Sequence, residues 1–143
     1  GNHDTGIDRF LEPGELMPAG GAVIDGTGYL HGHTVPSPAL AGFLVIAGHH
    51  HPNVAITDEV GCSLRSPAYL LAGMKADCPG KTTPGKEMRV LFVPAMNEYS
   101  GFDIRRIVND PFSPLSRCIA KETAEVILAD GSYLGPLAAL GEE

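Results

Sequence analysis

Glycine and proline break this sequence so often that no stretch is left for a long helix. There are 18 Gly and 12 Pro in 143 residues. The apolar runs are short, and several close on one of them or on Asp-Gly: Ala22-Val23-Ile24 before Asp25-Gly26, Phe43-Leu44-Val45-Ile46-Ala47 before Gly48, and residues 88–93 before Pro94. Proline lacks a backbone donor and glycine lacks a side chain to pack, so both end regular elements. Short apolar runs bounded by turn signals read as strands. The pattern predicts about seven or eight short strands with little helix. A hairpin is expected over residues 22–30 and strands over 43–47, 68–74 and 88–93. A return strand is expected over 54–57, and a closing hairpin over 125–134. Ser37 and Pro38 suit the start of one or two helical turns. Residues 75–86 read as an exposed loop, and 97–116 as a long irregular segment over a neighbour.

The strand over 43–47 delivers Gly48-His49-His50-His51-Pro52. This cluster sits mid-chain, directly after a core strand, where an expression tag would not be found. In an extended backbone side chains alternate, so His49 and His51 should share one side, with His50 packed or solvent-facing on the other. Two neutral imidazoles at a strand mouth are a ready pair of metal ligands. The hairpin strand ends in His31-Gly32-His33, and the chain opens with Gly1-Asn2-His3-Asp4. Imidazole, carboxylate and amide oxygen from separate strand ends suit Zn, Mn or Fe.

Composition narrows the partners. The formal net charge is −7 and there is no basic tract, which argues against duplex binding through a basic face. No apolar run reaches the roughly 20 residues a membrane span needs, and no leader pattern is seen, so the expected location is cytoplasmic. Cys62, Cys78 and Cys118 are odd in number and lack CxxC spacing. They read as reduced, structural thiols. The chain starts on Gly1, and a site-like motif at its very start suggests a longer parent protein.

The order of these motifs resembles the calcineurin-like metallophosphoesterase superfamily. Gly1-Asn2-His3-Asp4 is similar to its GNH(D/E) motif, His31-Gly32 to its lone-histidine motif, and Gly48-His49-His50-His51-Pro52 to its GHxH motif. Together with Pro94-Ala95-Met96-Asn97 and the closing Ala129-Asp130-Gly131 turn, they resemble the small prokaryotic phosphoesterases related to the SbcD exonuclease. The DNA-ligase-associated phosphoesterases are close kin. The family's DxH and GDxxD motifs, which precede GNHD, are absent from this sequence. The resemblance implies an α/β (α+β) fold, a four-layer α-β-β-α sandwich. Residues 1–143 would form the C-terminal part of that single domain and supply mainly its second, β-rich half. A missing N-terminal segment or a second copy should then cover the seam.

The resemblance also implies roles. Asn2, His31 and His49 would ligate one metal and His51 the other. His3 would contact the phosphate and protonate the leaving oxygen, with Asp4 orienting its ring. The complete protein would use two divalent ions (Mn, Fe or Zn), and this chain alone would hold at most one, weakly. The implied activity is hydrolysis of a phosphomonoester or phosphodiester by a metal-bridging hydroxide, with nucleotides and nucleic acid among the candidate substrates. The alternative is a catalytically inactive half-domain acting as a metal-binding or interaction module. His33 is expected behind the ligands or in a loop. Asn97 and the loop after it could overhang the site, and Arg105, Arg106 and Arg117 could neutralise a phosphate.

Overall fold

The computed structural model describes residues 1–78, 80, 83–97 and 100–141. Among them, nine strands follow in chain order: β1 (Ala22–Ile24), β2 (Thr27–Leu30), β3 (Leu44–Ala47), β4 (Pro52–Thr57), β5 (Ser63–Gly73), β6 (Arg89–Phe92), β7 (Phe102–Asp103), β8 (Glu125–Leu128) and β9 (Tyr133–Pro136). A single α-helix among the described residues, α1 (Ile104–Asn109), follows β7 directly. The chain is therefore a mixed, mostly β structure of the α+β kind.

The first hairpin turns where Asp25-Gly26 predicts. Both residues have positive φ, 49° and 81°, as a two-residue type I′ connection demands. β2, β3 and β6 then lie side by side and parallel. Parallel neighbours need crossovers. The crossover from β2 to β3 contains a 3-10 turn, Pro38–Leu40, whose Ala39 N–H donates to Ser37 Oγ at 3.2 Å. Register aligns the ends of the three strands: Leu30 faces Ala47, and Ala47 faces Phe92. The chain thus leaves all three at one edge of the sheet.

β5 links the rest. Its second half pairs antiparallel with β6 on one side and β8 on the other, while its first half pairs with β4. β4 also pairs with β7, in parallel. The return strand expected over 54–57 is β4, but it does not go back along β3. His51 has φ 46°, which takes the chain off an extended path and away from the β3 neighbourhood. The segment expected to be irregular, 97–116, contains β7 and α1. Asp103 Oδ1 accepts the Arg105 N–H at 2.8 Å and caps the helix, which buries Ile104, Ile107 and Val108. Six residues are too few for helical periodicity to stand out in a sequence.

Alternation along the strands makes a one-sided core. Val45, Ala47, Leu70, Ala72, Val90 and Phe92 are buried in one cluster with Leu40, Ile104, Ile107, Leu115 and Ile119. On the other face, Tyr29, Ile46, Leu91 and Leu71 stand in register across four strands, and all are partly or fully exposed.

Two of the cysteines correct the sequence reading. Cys78 and Cys118, 40 residues apart, are joined in a disulfide with Cα atoms 5.8 Å apart. Spacing could not reveal this, because the fold makes the pair. Met74 bridges to Ile119, and Lys75 N–H donates to the Cys118 carbonyl at 2.8 Å, so the end of β5 lies beside the cysteine turn. Cys62 is free and exposed. Residues 79, 81 and 82, in the loop expected over 75–86, lie outside the described residues. No helix among the described residues is long and apolar enough to cross a membrane.

Candidate metal centre

In sheets with parallel strands, ligand sites form beyond the carboxyl ends of those strands. Here that edge carries histidines. His31 follows β2, and Gly48-His49 follows β3. The backbone ties the two exits together: the His31 carbonyl accepts N–H groups from both Gly48, at 3.1 Å, and His49, at 2.8 Å. The side chains converge as well. His49 Nδ1 lies 3.2 Å from His31 Nε2, and His31 Nε2 lies 2.8 Å from Asn2 Oδ1.

Both distances fall in the range kept by two donors to one ion. Donors about 2.0–2.2 Å from one ion, at tetrahedral or octahedral angles, stand about 2.8–3.6 Å apart. No group of three or more His, Cys, Asp or Glu able to hold an ion occurs among the described residues. The third donor is an amide oxygen, Asn2 Oδ1, so the set is two imidazoles and one amide. Such a mix fits a divalent ion of borderline softness. Asn2, His31 and His49 are also the three residues that the family resemblance assigns to one metal.

Electrostatics keep these imidazoles neutral. Burial pushes His31 down to about 4, with His49, the Gly1 ammonium and His33 acting the same way and Asp4 opposing. Burial also lowers His49, helped by His33, His51 and His3. A neutral ring is the form that ligates a metal.

The other expected residues are placed as follows. His33 joins the cluster, its ring centroid 5.2 Å from His31 and 6.0 Å from His49, and its Nδ1 is buried without a hydrogen-bond partner. The expected alternation of His49 and His51 fails. Residues 49 and 50 form a turn and His51 is left-handed, and no ring contact from His51 to His31, His33 or His49 occurs among the described residues. His50 is packed, with 0% exposure. Asp4 pairs with the Gly1 ammonium, which lowers its pKa. The His3 ring, its expected partner, meets the Asn2 amide nitrogen at 3.4 Å instead.

Asn97 is exposed, and its carbonyl accepts the Ser100 N–H; residues 98 and 99 of the loop after it lie outside the described residues. Arg105 donates to the Leu140 and Gly141 carbonyls, and Arg106 lies 5.1 Å over the Phe102 ring. Arg117 is exposed. None of the three arginines lines the cleft beside the histidines.

That cleft has a volume of about 950 Å³ and is lined by Asn2, Asp4, Tyr29, His31, His33 and Ile46, among others. A second cleft of about 560 Å³, lined by Val54, Ile56, Arg105 and Leu134, holds none of the histidines.

The sequence reading missed what supports the site. Ser113, Ser116 and the Phe92 and Phe112 rings surround His50. Ser113-Pro114 gave only a turn signal, so nothing local pointed to that role. No protein family profile, curated protein or solved structure matches this chain.

Proposed function

We propose that the chain carries one metal position of a phosphoesterase site, for hydrolysis of a phosphomonoester or phosphodiester in the calcineurin-like manner. The observation that carries this reading is the convergence of Asn2 Oδ1, His31 Nε2 and His49 Nδ1 at 2.8 and 3.2 Å. When bound, a divalent ion of the Mn, Fe or Zn kind supplies Lewis-acid polarisation of the phosphoryl group and lowers the pKa of water. The chain's own groups hold and orient. His31 and His49 present neutral nitrogens, Asn2 turns its amide oxygen to them, and the cleft along Tyr29 and Ile46 takes the leaving group. His3, exposed beside Asn2, is the candidate proton donor to the leaving oxygen, with Asp4 close by. The net charge of −7 speaks against nonspecific duplex binding and leaves a small ester or nucleotide as the favoured substrate class.

A second reading has its own support. His51, assigned by the resemblance to the other metal, makes no ring contact with His31, His33 or His49 among the described residues, so the donors seen to converge are those for one ion. On that reading the chain is a metal-binding or interaction module. The apolar row Tyr29–Ile46–Leu91–Leu71 would be covered by another segment or a second copy, giving the four-layer sandwich. The Cys78–Cys118 disulfide favours an oxidising compartment over the cytoplasmic location suggested by the sequence.

Calorimetric titration with Mn(II) and Zn(II), paired with a chromogenic phosphodiester assay, tests both. Tight zinc sites gain about 10–16 kcal/mol from roughly four ligands, so one donor is worth on the order of 100-fold in affinity. His49→Ala should lose about that much. Binding without turnover selects the module. No binding, or full binding by His49→Ala, removes the phosphoesterase reading and leaves only an interaction module.

A further inference from the structure

We infer that His50 is a positioning residue, which holds the His49-bearing turn in place through a buried hydrogen bond to Ser113. The inference rests on the metal-site reading above. His50 has 0% exposure, although the histidines on either side of it, His49 and His51, are both partly exposed. Its ring stands edge-on to Phe92, with centroids 4.9 Å apart, and tilted against Phe112 at 5.2 Å. Its Nε2 lies 2.6 Å from Ser113 Oγ.

The hydroxyl pair favours His50 as the donor. In the arrangement that uses every serine proton, Ser116 Oγ donates to the Ser113 carbonyl at 3.2 Å and Ser113 Oγ donates to Ser116 Oγ at 3.0 Å. Ser113 Oγ then accepts from His50, and the buried His50 Nδ1, which has no partner among the described residues, is a bare acceptor rather than a stranded donor. Ser113 Oγ also accepts the Ser116 N–H at 2.9 Å, while the Ser113 N–H donates to Ser116 Oγ at 3.0 Å. His50 is therefore the tautomer with hydrogen on Nε2. The two serines form a closed pair that cannot swing away without stranding buried donors, which is costly.

The same segment supports the other arm of the site. A Cβ on Gly32 would meet His50 Cε1 at 3.2 Å, Leu115 Cδ2 at 3.3 Å and His49 Cβ at 3.4 Å. The backbone between His31 and His33 thus lies directly on His50 and Leu115. One buried ring braces both strand exits, and its bond to Ser113 sets where it sits. Groups that orient metal ligands from behind commonly change metal affinity 10–100-fold when removed.

A purely structural role predicts that metal affinity follows stability. Positioning predicts that it does not. Co(II) affinity, read from its visible absorption, is measured for wild type, His50→Phe, Ser113→Ala, Ser113→Thr and Val126→Ala. Val126 is buried on β8, separated from Phe92 by Leu70 on β5, and supplies a stability control. His50→Phe and Ser113→Ala should lose tenfold or more in affinity, while Ser113→Thr and Val126→Ala stay within about threefold of wild type. If His50→Phe does not fold, Ser113→Ala decides. Wild-type affinity in the folded His50→Phe or Ser113→Ala variant overturns the inference, as does an equal loss in Val126→Ala. A wild type that takes up no Co(II) overturns the metal reading along with it. In the metal-free protein, long-range 1H–15N spectra should show the His50 proton on Nε2, and a proton on Nδ1 overturns the inference by itself.

Discussion

Two glycines flank the histidines, and the structure predicts opposite outcomes for the same substitution in them. Gly32 has φ +111°, and an added Cβ would touch His50, Leu115 and His49 at 3.2–3.4 Å. Gly48 lies outside the left-handed region, and its added Cβ would meet nothing within 4 Å. For Gly32→Ala, a non-glycine residue in a sparsely populated backbone region costs about 1–3 kcal/mol. Forcing a methyl into packed surroundings costs about 1–3 kcal/mol more. The gain from a stiffer unfolded chain offsets only about 0.4–1 kcal/mol. Gly32→Ala should therefore lose about 1–5 kcal/mol, and Gly48→Ala should be neutral or gain up to about 1 kcal/mol. Urea unfolding followed by circular dichroism reads both, since a midpoint shift at unchanged slope is a stability change. Because the displaced neighbours are His49 and His50, any folded Gly32→Ala should also bind metal more weakly than Gly48→Ala. Equal midpoints for the two variants, or a larger loss in Gly48→Ala, would refute the proposed packing of the two strand exits.

Acid should weaken the metal-free protein early. Burial, ahead of the neighbouring histidines, lowers His31 to about 4 and His50 to about 3, and it also lowers His49. The unfolded chain takes up these protons from about pH 6.5 downward, before the folded chain does, so stability is lost as pH falls through and below that value. Urea midpoints measured with chelator from pH 7.5 to 4.5 should decline steadily, and a flat profile would contradict the burial of the cluster. Opening the Cys78–Cys118 disulfide, which closes a loop of 40 residues, should cost about 4 kcal/mol on the chain-entropy estimate. Thermal melts with and without a thiol reductant check this, and an unchanged midpoint would count against the bond.

Much of the strand layout could be read from the sequence because its signals are local. Asp25-Gly26 specifies its own turn and Ser37-Pro38 its own cap, and the run 43–47 reads as a strand, although only Val45 and Ala47 of it are buried. What could not be read depends on partners distant in the chain. β4 looked like a return strand because nothing in residues 54–57 encodes that Ser63–Thr57 pairing, rather than pairing with β3, is what the core selects. The Cys78–Cys118 pair shows the same limit. The site divides similarly. His31 and His49 were legible because each ends an apolar run. The expectation that His51 shares a side with His49 assumed an extended backbone, and φ 46° breaks it. His50 was left open between packing and solvent, since its partner Ser113 is 63 residues away.

The spacing of the donors follows from the sheet rather than from the loops. Leu30 and Ala47 are register partners, and the His31 carbonyl holds both Gly48 and His49 by their N–H groups. A slip of one residue between β2 and β3 would turn every side chain of one strand to the other face, and would bury Ile46 where Val45 now packs. The core therefore fixes the register, and the register fixes the distance between the two imidazoles. Asn2 is different in kind. It belongs to an exposed opening segment, and its side chain reaches the cluster through the contact with His31 Nε2. Two donors are thus set by folding and the third is brought by a segment with little burial of its own. Metal binding should order residues 1–4 more than residues 31 or 49, because free energy of binding is spent where the site is not already formed.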